Sequence, residues 1–255
     1  METLLVERCD GVVTVTMNRP AKKNAVNPTM WRELAECIDE VSRRGEDRVM
    51  VLTGAGGAFC SGADLAEVDS TTQPLSLMAQ VGDVALALHR MPKPTIAKVP
   101  GVAAGAGCNM ALCCDLIVAS DEARFCEIFS RRGLSLDFGG SWLLPRLVGM
   151  HRAKELAFFG DMLAAKEAFD LGLVNRVIPA LEIDEFVDGW AHRLAAGPPI
   201  ALSMTKALLN RSLEMPFSEA VDQEGRCQVI NFSTADTAEA MVAFLEKREP
   251  RFQGR

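Results

Sequence analysis

Residues 101–149 read GVAAGAGCNMALCCDLIVASDEARFCEIFSRRGLSLDFGGSWLLPRLVG, and this stretch decides the fold. A small-residue turn leads into an apolar helix, and a short buried strand follows at residues 116–119. A Gly-Gly turn then opens another helix, with Asp137 just before it. Strands that alternate with helices in this way are typical of an α/β fold.

A second small-residue loop lies upstream, with the sequence TGAGGAFCSGADL at residues 53–65. Each of the two loops opens a helix, so each could direct a backbone N–H group at one carbonyl oxygen. Two such donors form an oxyanion hole, which stabilises the negative charge that develops on that oxygen. The pair of loops therefore predicts an oxyanion hole.

Working outward, the chain divides into two regions of different pattern. The N-terminal part shows a hairpin at residues 4–17, a helix from Pro28 to about residue 43, and further strands and helices in alternation. After about residue 181 only helical patterns follow, at residues 183–194, 200–213, 217–230 and 237–247. We expect a core of residues 1–195 and a helical C-terminal subdomain of residues 196–255.

Composition excludes several classes of protein. The net charge is −7 and no basic stripe is present, so we expect no nucleic-acid partner. The eight cysteines include no C-x-x-C pair, and a Cys113–Cys114 metal site is disfavoured because no histidine lies near. No signal peptide or bilayer-spanning run is visible, which predicts a cytoplasmic protein with no membrane association.

The glycine motifs that are typical of nucleotide binding and of serine nucleophiles are incomplete in this sequence. Gly57 and Gly62 have the Walker A spacing, but Ala63 stands where lysine is required. Met110 replaces the third glycine of a dinucleotide fingerprint. Neither Ser61 nor Ser141 lies in a G-x-S-x-G elbow.

Several segments in order resemble the enoyl-CoA hydratase/isomerase (crotonase) family. They are NRPAKKNA at residues 18–25, FCSGADL at 59–65, KPTIAKVPGVAAGAG at 93–107, the Gly-Gly turn, AKEAFDLGLVNRVIP at 165–179 and FLEKREPRF at 244–252. The resemblance implies a spiral of ββα units, C-terminal helices used in trimer contacts, and an acyl-CoA substrate with no separate cofactor or metal. It also assigns the oxyanion donors to the N–H groups of Ala63 and Ala106.

Two glutamates that act in hydratases of this family correspond here to Asn109 and Phe129. Neither side chain is an acid or a base, so the usual hydration machinery is missing. The motif around Asp137, LDFGGSWLLPR, resembles instead the isomerase branch, in which a single carboxylate moves a proton between two carbons. The resemblance therefore implies an enoyl-CoA isomerase with Asp137 as the catalytic group.

The resemblance also implies the remaining contacts of the substrate. The acyl pocket would involve Asn109, Phe129, Phe138 and Trp142, although the aromatic side chains could equally be core. The residues assigned to coenzyme A are Lys22, Lys23, Ala25, Asp64, Leu65, Phe244 and Lys247. In a homotrimer or a dimer of trimers, Phe244 and Lys247 would reach a phosphate of the coenzyme A bound to a neighbouring subunit.

Alternatives remain open at this point. Asp137 could be only an N-cap for the helix that follows it. The protein could be a hydratase with a non-standard acid/base set, although Glu127 is a doubtful substitute because alternation along an extended segment would be needed. A haloaryl-CoA dehalogenase-like enzyme and a non-catalytic acyl-CoA-binding relic are the other readings. His89 is predicted to lie at a helix end, with a capping or surface role.

Overall fold

Two sheets and ten α-helices form the part of the protein that the computed structural model describes, residues 1–67 and 73–255. The strands are β1 (Leu4–Cys9), β2 (Val12–Met17), β3 (Val49–Gly54), β4 (Thr95–Val99), β5 (Val102–Ala104), β6 (Leu116–Ser120), β7 (Arg124–Cys126), β8 (Leu163–Ala164) and β9 (Arg176–Ile178). The helices are α1 (Pro28–Arg43), α2 (Pro74–Arg90), α3 (Ala106–Cys113), α4 (Gly140–Val148), α5 (Met150–Phe159), α6 (Ala165–Asp170), α7 (Ile183–Ala195), α8 (Pro199–Arg211), α9 (Phe217–Phe232) and α10 (Ala235–Glu246). Short 3-10 helices lie at Pro20–Lys22, Ile128–Arg132 and Ser212–Glu214.

The large sheet has the strand order β1-β2-β3-β4-β6-β9. Strands β1 and β2 form the predicted antiparallel hairpin, and its turn has positive φ at Asp10 (49°) and Gly11 (80°). The other neighbours pair in parallel. The α/β class expected from the alternating pattern is confirmed.

Helices cover both faces of the large sheet, which is why β3 is buried along its whole length. Met50 and Leu52 point into a core shared with α1, α2 and α3. Val49 and Val51 point the other way and pack with Val187 of α7. Helix α7 therefore belongs to the sheet core, whereas α8, α9 and α10 follow it without a further strand in the described residues.

A small sheet of order β5-β7-β8 lies beside the large one, and its strands are not revealed by the sequence pattern. The chain runs from β4 into β5 and from β6 into β7, so successive passes visit both sheets in turn. Cys60 continues this arrangement through a parallel bridge with Ala103. Strands of two or three residues are too short for a period-2 signal, which explains why the sequence does not predict them.

Helix boundaries agree closely with the expectations from sequence. Helix α1 starts at Pro28, and the side chain of Asn27 caps it by accepting a hydrogen bond from the Met30 N–H (2.9 Å). Helix α2 starts at Pro74, and proline is well suited to the first turn of a helix. Across the two described ranges, no helix combines the length and apolarity needed to cross a bilayer.

Candidate active site

The two small-residue loops lie side by side. The Ala104 N–H donates to the Cys60 carbonyl at 2.9 Å. A Cβ atom at Gly107 would lie 2.3 Å from that same carbonyl oxygen, so only glycine permits this approach. A Cβ at Gly62 would lie 3.7 Å from the Ala106 nitrogen. The glycines therefore bring the loop that carries Ala63 against the start of α3.

The N–H groups assigned to the oxyanion hole are available to a ligand. Ala106 is the first residue of α3, where an N–H has no acceptor within the helix. Ala63 forms a parallel β-bridge with Val26. The hydrogen bonds of this bridge join Val26 to Gly62 and Asp64, the residues on either side of Ala63, so the Ala63 N–H takes no part in them. Within residues 1–67 and 73–255, neither N–H donates to a protein acceptor. This is the arrangement that an oxyanion hole needs.

Asp137 lies in the wall of a cavity and does not cap a helix. Helix α4 begins at Gly140 after Gly139, and no side chain caps it. The Oδ1 atom of Asp137 is buried without a hydrogen-bond partner. Burial raises the pKa of this carboxyl group to about 6. The N-cap reading is therefore wrong, and a base with a pKa near neutrality fits general acid–base chemistry.

Asn109 connects the oxyanion helix to the loop of Asp137. It is fully buried on α3, one turn after Ala106, and its Nδ2 donates to the Asp137 carbonyl oxygen at 3.0 Å. A Cβ at Gly140 would lie 2.3 Å from this Nδ2 atom. The second glycine of the Gly-Gly turn is thus needed so that the loop can pack on the Asn109 amide. The backbone at Phe138 has a positive φ of 48°, a conformation that costs energy in a non-glycine residue.

Glu127 is a second carboxyl group in this site, although the sequence made it a doubtful substitute for the missing hydratase acids. Its side chain is buried (3 % exposed), and neither carboxyl oxygen has a well-formed hydrogen bond. The pKa of Glu127 is raised to about 7, with burial as the largest cause; the adjacent groups of Cys108 and Asn109 lower it in part, and the Asp137 charge raises it. A 3-10 helix begins right after Glu127, so the chain there is not extended. The alternation of side chains along an extended segment, which made Glu127 doubtful, therefore does not apply.

A cavity of about 740 Å³ opens in front of Asp137, between α2, α4 and α8. Phe138 and Trp142 line it, and Phe138 also stacks on Trp31 in the core with ring centres 5.7 Å apart. Asn109 and Phe129 do not line this cavity, and both side chains are buried. Of the four predicted pocket residues, Phe138 and Trp142 thus face the cavity and the other two do not.

The cavity also carries polar groups, and one of them is His89 at the C-terminal end of α2, which was expected from sequence to have a capping or surface role. His89 lies edge-on to the Trp142 ring at 5.4 Å, and the Trp142 Nε1 donates to Glu214 at 3.2 Å. Burial lowers the pKa of His89. His89 follows the buried Ala85 by four residues, so helical periodicity could have placed it on the inner face of α2.

The residues assigned to the near end of coenzyme A lie at the rim of the Ala63 loop. The carbonyl of Lys23 accepts from the Ser61 N–H at 3.0 Å, and that of Lys22 accepts from the Ser61 hydroxyl at 3.2 Å. Both lysine side chains are exposed, as is Leu65, whereas Ala25 is buried. The Asp64 carboxylate forms an ion pair with Arg19 at 3.0 Å, so its side chain already has a partner within the protein.

Phe244 and Lys247 lie far along the chain, at the end of α10. The Phe244 ring is 80 % exposed. Lys247 follows α10 in the left-handed conformation, with φ of 55°. These two residues are therefore displayed on the C-terminal helices and are not packed into the core.

The structure offers no support for a metal at the paired cysteines. The Cys113 Sγ donates to the Ala85 carbonyl at 3.4 Å, and the Cys114 Sγ donates to the Met110 carbonyl at 3.6 Å. Burial raises the thiol pKa of Cys113 to about 12. Among the residues described, no three His, Cys, Asp or Glu side chains form a metal-binding group.

Comparisons with known proteins agree on one family. The family model described as enoyl-CoA hydratase/isomerase matches residues 7–255. A probable enoyl-CoA hydratase of Rhodobacter capsulatus is 38 % identical, over 99 % of this chain and 98 % of its own. A 1,2-epoxyphenylacetyl-CoA isomerase of Escherichia coli is also 38 % identical, over the full length of both. The crystal structure of a putative enoyl-CoA hydratase from Streptomyces coelicolor superposes with a TM-score of 0.95 at 41 % identity, covering 99 % of this chain and 94 % of that one.

Proposed function

The chain belongs to the enoyl-CoA hydratase/isomerase family, and from this premise we propose that it is an enoyl-CoA isomerase, which shifts a double bond in an unsaturated acyl-CoA. The observation that carries the proposal is the Asp137 carboxyl group, which lines the cavity with a buried, unpartnered oxygen and a pKa raised to about 6. Asn109 and Phe129, at the positions of the two hydratase glutamates, offer no acid or base.

The proposed reaction is a 1,3-proton transfer. The ionised Asp137 removes a proton from the carbon next to the thioester of a 3-enoyl-CoA. The electrons pass to the carbonyl oxygen, and the N–H groups of Ala63 and Ala106 stabilise the resulting dienolate. The neutral Asp137 acid then returns the proton two carbons further along, which gives the conjugated 2-enoyl-CoA and the ionised base. A pKa of about 6 suits both half-reactions, because the group is mostly ionised at neutral pH and is still a usable acid.

Hydration is the second candidate, and a specific observation favours it. Glu127 supplies a second buried carboxyl group, whose pKa the charge of Asp137 raises, and two carboxyl groups are what hydration needs. Relatives named as hydratases share 33–38 % identity with the chain. The isomerase of Escherichia coli supports the first candidate at the same level of identity.

Purified protein offered two substrates separates these candidates. With a 3-enoyl-CoA we expect conjugated product, followed by its ultraviolet absorbance. With crotonyl-CoA we expect hydration slower by about 10²-fold or more, because one well-placed acid or base contributes about 10²–10⁴ in rate. Rapid hydration of crotonyl-CoA would instead make Asp137 and Glu127 a hydratase pair, and no turnover of either compound would contradict both candidates.

We also propose that the protein works as a homotrimer or a dimer of trimers, with coenzyme A held between subunits. Seven large apolar side chains on or next to α8, α9 and α10 are at least two-thirds exposed: Leu209, Leu213, Phe217, Val229, Phe232, Phe244 and Leu245. Monomers rarely leave an apolar patch of that extent uncovered. Light scattering at micromolar concentration should give at least three times the mass of one chain, 27.6 kDa, and a stable monomer would contradict this.

A further inference from the structure

Four buried oxygen atoms without a hydrogen-bond partner belong to the proposed base and to two residues close to it. They are the Oδ1 of Asn109, both carboxyl oxygens of Glu127 and the Oδ1 of Asp137. In residues 1–67 and 73–255 these are the only buried side-chain nitrogen or oxygen atoms that lack a partner. With both acids ionised all four are acceptors, and clustered acceptors without a donor destabilise a buried site.

One proton changes this balance. The Nδ2 of Asn109 already donates to the Asp137 carbonyl at 3.0 Å, so the amide oxygen points away from that bond and still requires a donor. The carboxyl group of Glu127 lies next to the Asn109 amide. A neutral Glu127 has an O–H that can satisfy this oxygen, whereas an ionised Glu127 has none.

We propose that Glu127 is a positioning residue that acts as a neutral acid: its O–H donates to the Asn109 amide oxygen and thereby fixes the amide that holds the Asp137 main chain. This inference rests on the proposed isomerase function. Ionisation of Glu127 removes the donor and adds a second negative charge beside the base and the dienolate, so the active form carries one proton on this pair.

Burial, the largest effect, and the Asp137 charge favour the neutral form of Glu127, whereas the Cys108 thiol and the Asn109 amide favour its ionised form. The titratable groups that face it are the Cys108 thiol from α3, the Cys126 thiol from β7 and the Asp137 carboxylate. Arg131, whose charge acts on the neighbouring Cys126 thiol, is bound to Asp161 and to the Phe159 carbonyl. The charge of Asp137 raises the pKa of Glu127, which is about 7, so Asp137 ionises first. The two groups are coupled, and the observed limbs of a pH profile belong to the pair.

The pH dependence of isomerisation tests the proposal. For the natural protein we expect kcat/KM to rise through about pH 6 as Asp137 ionises and to fall through about pH 7 as Glu127 ionises. Glu127→Gln keeps a donor for Asn109 but cannot ionise, so the falling limb should disappear. The ratio of activity at pH 8 to activity at pH 6.5 should then rise by about tenfold relative to the natural protein. Glu127→Leu, which has no donor, should lower kcat by about tenfold or more with little change in KM.

Melting curves give a second readout that needs no turnover. A carboxyl group whose pKa is raised in the native state stabilises the fold fully below its unfolded pKa, near 4.5, and this contribution is lost as the pH rises through about 7. The melting temperature of Glu127→Gln minus that of the natural protein should therefore increase between these two pH values and stay constant at higher pH. Glu122→Gln, an exposed glutamate five residues away, should track the natural protein in both measurements.

The two arms separate the possible failures. A falling limb that stays in Glu127→Gln overturns the positioning role, even if isomerisation is confirmed. A melting difference that does not change with pH overturns the neutral form of Glu127. If no 3-enoyl-CoA is turned over, the proposed function fails, and the melting arm still decides whether Glu127 carries the proton.

Discussion

Asp137→Asn should lower isomerisation of a 3-enoyl-CoA by at least ~10²-fold, since asparagine keeps the shape of the side chain but cannot carry the proton. Binding of a non-reactive acyl-CoA should change little, because the oxyanion N–H groups belong to the main chain of Ala63 and Ala106. Stopped-flow or steady-state turnover with calorimetric binding measures both. An Asp137→Asn protein of normal activity would leave the proton transfer without a base.

The same variant should be more stable than the natural protein. The pKa of Asp137 is raised from 3.8 to about 6, so its stabilising contribution is complete below pH ~4 and is lost as the pH rises through 6. At pH 7.5 the gain for Asp137→Asn should be ~1–3 kcal/mol, with allowance for the partial exposure of the side chain. Asp39→Asn, on the surface of α1, should stay within about 0.5 kcal/mol. A loss of stability in Asp137→Asn would contradict the buried, uncapped geometry.

Ala106→Pro should also lower kcat by at least ~10²-fold, because it deletes one of the two proposed oxyanion donors. Proline is tolerated at the first position of a helix, where its missing N–H had no helical acceptor. Turnover of a 3-enoyl-CoA and a circular dichroism melt should together show a folded protein with little activity.

Met150→Pro is the matched control for this variant. Met150 is likewise the first residue of a helix, α5, and it also follows a glycine with positive φ, but it is exposed and does not belong to the two small-residue loops. Its activity should be within about twofold of the natural protein, by the small effect expected of surface substitutions. Equal losses in the two proline variants would mean that backbone strain, and not the missing N–H of Ala106, lowers the activity.

The sequence by itself determined the fold class and the two loops of the candidate site. Local patterns were sufficient for this, because period-2 and period-3.6 alternation and residues such as Asn27, Pro28 and Gly11 act within a few positions of the chain. The pair of loops predicted an oxyanion hole, and the family resemblance assigned its donors to Ala63 and Ala106. Their glycine neighbours, Gly62 and Gly107, are required by contacts that the structure makes visible.

Only the tertiary structure decided the chemical environment of Asp137. The contact of Asn109 with the Asp137 main chain spans 28 residues, and Glu127 enters the site because a 3-10 helix interrupts the alternation of β7. His89 reaches the cavity through the packing of α2 against α4. Burial and unpaired charge set the pKa of a carboxyl group, and both depend on groups distant in sequence. A single chain's local patterns carry no record of these distances, so the base, its supporting amide and the second acid became one cluster only in three dimensions.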